Sequence, residues 1–79
     1  MAEITLIGKS GCHLCDEMRA LVHRVCIPRG DVIEELSIDD RPDLAEKYWE
    51  EIPVLLVDGR RVAFWRISEE QLHSALEGK

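Results

Sequence analysis

Ile4-Thr5-Leu6-Ile7 is a short apolar run closed by Gly8, and a run of that length predicts a buried strand. Lys9-Ser10-Gly11 reads as a loop, after which the spacing changes. Leu14, Met18, Leu21, Val22 and Val25 recur at helical intervals, while Asp16, Glu17, Arg19, His23 and Arg24 fill the other face. The pattern predicts a helix from Cys12 to Cys26, about 22 Å long, stopped by Pro28 and Gly30. Asp31 to Ile38 reads as a second strand, with Val32, Ile33 and Ile38 around Leu36. Asp39 or Asp40 is the expected cap of a short helix whose first turn holds Pro42 and whose inner stripe is Leu44, Ala45, Tyr48 and Trp49. A third strand, Glu51 to Val57, contains Pro53 near its head, and Asp58-Gly59 predicts a hairpin into Arg61 to Phe64. Ser68-Glu69-Glu70-Gln71 is a capping box for a last helix that buries Leu72, Ala75 and Leu76 and ends at Gly78.

The order βαβαββα constrains the topology. Two strands joined by a crossover helix pair in parallel with a right-handed connection, whereas the Asp58-Gly59 hairpin is antiparallel. The expected fold is α/β, a four-stranded mixed sheet with helices on its faces, in one domain over residues 1–79.

Composition narrows the function. Sixteen acidic against ten basic residues give a net charge of −6, which disfavours a nucleic-acid backbone or an anionic membrane as partner. Three cysteines are too few, and odd in number, for a disulfide-stapled scaffold. No apolar run approaches a membrane span, and Met1-Ala2-Glu3 carries no basic leader, so the expected compartment is the reducing cytoplasm.

Cys12-His13-Leu14-Cys15 stands where the first loop becomes the first helix. Residues three apart on a helix lie on one face, so the two sulfurs can bond with little movement. Free N–H groups and the positive dipole end at a helix start stabilise an anion, which is expected to lower the Cys12 pKa below the free value of about 8.5. Cys15, one turn deeper on the Met18 and Val22 flank, is expected to be buried and protonated. That asymmetry suits Cys12 as nucleophile and Cys15 as resolving thiol. Ile52-Pro53 is placed to return beside this helix start, and an isolated X–Pro bond is expected to be trans.

Ser10-Gly11-Cys12-His13-Leu14-Cys15 after the first strand, Ile52-Pro53 before the third, and the element order together resemble a glutaredoxin of the thioredoxin superfamily over essentially the whole chain. The nearest resemblance is to the small glutaredoxin-like bacterial proteins. It implies a thioredoxin-like fold and thiol–disulfide oxidoreductase activity, with no dissociable cofactor and with glutathione as a possible co-substrate. The substrate would be a disulfide-containing protein or a glutathione mixed disulfide. The reductant would be glutathione or a thioredoxin-reductase-type enzyme. The resemblance also implies a cis Pro53, an Ile52 backbone presented to the substrate, and Lys9 as a contact for a glutathione carboxylate. Departures from the pattern cluster at the glutathione side: His13-Leu14 replaces Pro-Tyr, Glu51-Ile52 replaces Thr-Val, and Ala63 to Ser68 lacks the usual glycine pair. Glu51 is expected to repel an anionic ligand.

Other readings accompany these. Cys-x-x-Cys also serves zinc, with Cys12, Cys15, His23 and Cys26 as the best tetrad. On one helix, however, Cys12 and Cys26 stand about 21 Å apart, against zinc–sulfur bonds of about 2.3 Å. An iron–sulfur or metal carrier using a cluster shared between chains, and a redox-inert interaction domain, remain as alternatives. Cys26 reads as a buried, inert thiol. His13 either supports the Cys12 thiolate or is simply solvated, and Lys9 is likewise either a contact or an ordinary loop lysine. His23 and His73 read as exposed, Trp49 as core, and Phe64-Trp65 as packing in preference to a substrate groove.

Overall fold

A computed structural model describes residues 2–77. Its elements run β1 (Glu3–Gly8), α1 (His13–Cys26), β2 (Val32–Ser37), α2 (Pro42–Tyr48), β3 (Val54–Val57), β4 (Arg60–Phe64) and α3 (Glu69–Leu76). The four strands form one sheet in the order β2-β1-β3-β4. β1 pairs with β2 in parallel, Ile4 opposite Ile33, and with β3 in antiparallel, Ile4 opposite Val57. The expected mixed sheet and βαβαββα order are therefore both present, and the fold is α/β.

Alternation along the central strands divides the core between two faces. Ile4, Leu6, Leu55 and Val57 pack with Met18, Val22, Val25 and Cys26 of α1 and with Leu72 of α3. Ile7 and Val54 point the other way, toward Tyr48 of α2, Ile52 and Cys15. α1 thus lies over one face, while its first turn reaches around the end of β1 to the other.

Local signals operate largely as expected. Asp58 and Gly59 both have positive φ, 52° and 84°, the requirement of a two-residue type I′ hairpin. The Ser68 hydroxyl accepts from Gln71 N–H while the Gln71 side chain accepts from Ser68 N–H, closing the capping box. Gly78, the expected end of α3, lies outside the described residues.

Four expectations fail, the first three for tertiary reasons. Neither Asp39 nor Asp40 caps α2. Arg41 holds the cap position without a side-chain bond, because the Asp39 carboxylate is taken by Ser10. Trp49 is not core; it is 64% exposed, since α2 ends at Tyr48 and Tyr48 already covers Ile7, Ile52 and Val54. Phe64 and Trp65 are also exposed, 39% and 52%, because β4 is an edge strand with no further layer beside its end. β3 begins at Val54 rather than Glu51, because Pro53 has no N–H to give the ladder.

Asp31, at the entrance to β2, binds elements far apart in the chain. Its side chain is out of solvent and accepts from Ala2 N–H at 2.8 Å and from Arg29 Nε at 2.8 Å. Burial opposes its ionisation, but the bonds from Arg29 and Ala2 outweigh it and hold the carboxyl below its ordinary range. A depressed carboxyl pKa contributes stability above the unfolded value, about 3.9, and that contribution is lost as pH falls through the folded value. Asp31→Asn is expected to cost about 1–2 kcal/mol at pH 7. The deficit, read from urea midpoints, should shrink as the pH is taken below about 4.

Candidate active site

The site is built on the turn that joins β1 to α1. Cys12 is the N-cap of α1, in extended backbone (φ −103°, ψ 112°), and its sulfur accepts from the Cys15 N–H at 3.1 Å. One of the donors that a helix start leaves free is thereby directed at Sγ. Cys12 and Cys15 are joined as a disulfide with a Cα–Cα separation of 5.2 Å, inside the ordinary range for such a bridge. Cys12 is half-buried and Cys15 only 3% exposed. The difference follows from position: Cys12 stands at the tip, and Cys15 is packed with Ile7, Ile52 and Val54.

Two contacts set this turn in place, and sequence reasoning found neither. Gly8, the last residue of β1, lies directly under Cys15; a Cβ there would stand 2.9 Å from the Cys15 sulfur. Ser10 donates to Asp39 through both its N–H, at 3.1 Å, and its hydroxyl, tying the loop before Cys12 to the segment after β2. These Ser10 bonds, with a smaller contribution from the Lys9 charge, hold the Asp39 carboxyl below its usual range. A glycine ending a strand and a serine two before a cysteine were the available signals; pairing Ser10 with Asp39 needed the β1–β2 register.

The remaining candidate residues divide into those near the sulfurs and those apart. Ile52 belongs to the same apolar cluster as Cys15, with Cys12 packed against it. The Ile52–Pro53 bond is cis, against the expectation for an isolated X–Pro bond and in line with the family resemblance. Pro53 is fully buried and its carbonyl accepts from Trp65 N–H at 2.8 Å. His13 opens α1 exposed to solvent, and Lys9 is exposed on the Asp39 side of the loop. Glu51 is salt-bridged to Arg61, so its expected repulsion of anions is largely offset within the chain.

The segment Ala63 to Ser68 reaches the site through Trp65. Its φ of 67° lies in the left-handed region, a genuine outlier for so bulky a residue. Such a conformation costs about 1–3 kcal/mol and persists only where surrounding contacts impose it. Here they are the bond to Pro53, a 2.8 Å bond from the indole Nε1–H to the Glu50 carbonyl, and edge-to-face packing on Phe64. A groove of about 430 Å³ separates Trp65 from Leu14 and Met18 of α1, with Ser68 and Gln71 at its far end.

The zinc tetrad is not assembled. α1 is continuous to Cys26, placing that residue about 21 Å along the axis from Cys12. His23 instead meets Glu35 at 3.0 Å, and His73 meets Glu69 at 3.5 Å. Cys26 is wholly buried, and burial, with Asp31 beside it, pushes its thiol up to about 11. Its burial is as expected. No helix among the described residues is long and apolar enough to cross a membrane.

Comparisons with known proteins agree with this arrangement. Residues 3–77 match the family described as Glutaredoxin-like domain (DUF836). An uncharacterised protein of Mycobacterium tuberculosis is 22% identical over 77 residues, covering 91% of this chain and 79% of its own. The X-ray structure of protein XcR50 from X. campestris superimposes with a TM-score of 0.78 at 27% identity, covering 96% of this chain and 97% of that one. Mitochondrial thioredoxin 3 of Saccharomyces cerevisiae, in its oxidised form, shares the fold with a TM-score of 0.71 at 14% identity, covering 99% of this chain and 78% of that one. A thioredoxin-like sheet, a Cys-x-x-Cys turn at the start of α1 and a family match over nearly the whole chain lead to one assignment: this chain belongs to the glutaredoxin-like DUF836 family.

Proposed function

We propose that the chain is a cytoplasmic thiol–disulfide oxidoreductase in which Cys12 attacks and Cys15 resolves. The observation that carries this is the Cys12 sulfur capping α1, with the Cys15 N–H aimed at it from 3.1 Å and the Cys15 side chain buried behind it. A donor fixed on the sulfur favours the thiolate over the thiol, and the thiolate is the attacking form.

The steps follow from the positions. The Cys12 thiolate attacks one sulfur of a substrate disulfide; that S–S bond breaks, and the departing thiolate takes a proton from solvent. Cys15 loses its proton and attacks the Cys12 sulfur of the mixed disulfide, releasing the second substrate thiolate. The substrate gains two electrons and the Cys12–Cys15 pair is oxidised. Two molecules of glutathione, or a thioredoxin-reductase-type enzyme, return it to the dithiol. No dissociable cofactor enters these steps. Ile52 supports substrate binding in this reading through its backbone, whose N–H and carbonyl form no hydrogen bond among the described residues. Pro53 orients that segment, and His13 stands at the rim. Lys9 is the residue offered to a glutathione carboxylate, although Asp39 already shares its charge.

Alkylation of the reduced protein by iodoacetamide across pH should give a Cys12 midpoint below about 8.5. Cys12→Ser should reduce disulfides no faster than buffer, and Cys15→Ser should retain a stable mixed disulfide detectable by mass. A midpoint at or above the free value, with no turnover of a model disulfide by the parent, would mark a redox-inert domain on the same fold.

Gly8 offers a separate check on the resolving step. Its backbone suits any L residue, so Gly8→Ala acts through the 2.9 Å approach of the new methyl to the Cys15 sulfur. The variant should form the mixed disulfide at the parent's rate but resolve it several-fold more slowly, as followed by quenched mass spectrometry.

A further inference from the structure

Trp49, Phe64 and Trp65 are large apolar side chains left in solvent at one edge of the redox turn. Bonds already described place them together: Trp65 is held to the Pro53 carbonyl and to the Glu50 carbonyl, next to Trp49, and its ring meets Phe64 with centroids 5.1 Å apart. The groove between Trp65 and Leu14 adjoins this patch, and Leu14 lies in the chain between the two cysteines. Three exposed aromatics on so small a domain are an unusual concentration, and the left-handed backbone at Trp65 shows that its placement opposes local preference.

The same region is unsuited to a small anionic thiol. The capping box already takes the N–H groups of Ser68 and Gln71 at the start of α3, leaving fewer for a ligand carboxylate in the groove they line. Glu46 and Glu50, three before and one after Trp49, are exposed and form no salt bridge among the described residues. Arg61, stacked over Phe64, is paired with Glu51, and Arg66 in the groove meets Glu17; with the chain's net charge of −6, the unpaired Glu46 and Glu50 complement a cation.

We infer that Trp49, Phe64 and Trp65 form a docking platform for a polypeptide whose disulfide cysteine is flanked by an apolar residue and by lysine or arginine. This rests on the oxidoreductase reading and specifies its substrate. The apolar side chain enters beside Trp65 while the substrate sulfur meets Cys12, and the cationic side chain faces Glu46 and Glu50. Substrate disulfide and protein dithiol then exchange as above: two peptide thiols form and Cys12–Cys15 closes.

Stoichiometric turnover by the pre-reduced protein tests this without any second reductant. The probes are a short peptide disulfide dimer with leucine and lysine beside its cysteine, the same peptide with serine for leucine, the same peptide with glutamate for lysine, and glutathione disulfide. The parent should reduce the first at least about tenfold faster than each of the others, the scale that partial burial of one apolar side chain supplies. Trp65→Gly suits the left-handed backbone and should fold with an unchanged or higher Tm; in it, and in Trp49→Ala, the leucine-over-serine ratio should fall to about threefold or less. A parent ratio near one, a ratio retained in both variants, or equal use of glutathione disulfide overturns the platform while leaving the oxidoreductase standing. Failure of the parent to reduce any of the four probes removes both.

Discussion

The structure turns on one backbone amide. Cys15 N–H points at the Cys12 sulfur because Cys12 caps α1, and α1 starts there because β1 stops at Gly8 and the loop through Ser10 is anchored to Asp39. Were the helix to begin a residue earlier, Cys12 would stand inside the first turn and its sulfur would leave the line of free donors. The chemistry proposed for Cys12 is thus a consequence of where a helix starts, and that position is decided by a glycine contact and a serine–aspartate pair outside the motif.

Comparison of Cys12, Cys15 and Cys26 shows how completely environment decides the behaviour of one residue type. All three belong to one helix and its cap. Cys12 is half-exposed with an amide on its sulfur, Cys15 is buried within bonding reach of it, and Cys26 is buried beside Asp31 with its thiol pushed up to about 11. Of the three, Cys12 is the one to which the proposed attacking role falls. Asp31, by ordering Ala2, Arg29 and the Cys26 surroundings, serves the stability of the scaffold rather than its reactivity.

Around the redox turn, β4 and α2 contribute what the motif lacks. The stretch from Ala63 to Ser68 passes through Trp65 in a left-handed backbone. The bonds to Pro53 and Glu50 hold it and leave its indole at the surface. Glu51 is paired with Arg61 rather than standing as a free charge.

Periodicity, turn chemistry and caps were legible in the chain. The stripe from Leu14 to Val25, the Asp58-Gly59 turn, the Ser68–Gln71 box and the cysteine pair at a helix start each depend on residues within a few positions of one another, and each stands where its local physics puts it. Trp49, Phe64 and Trp65 looked like core because their apolarity is local, but their exposure was settled by which strand lies at the edge and where α2 ends. Asp39 likewise had the character of a helix cap and became a loop anchor, because parallel pairing of β1 and β2 brought Ser10 to it from 29 positions away. The residues alone therefore determined the elements and the reactive pair. Tertiary structure decided what surrounds that pair, because exposure and long-range hydrogen bonds are properties of neighbours in space that no short segment specifies.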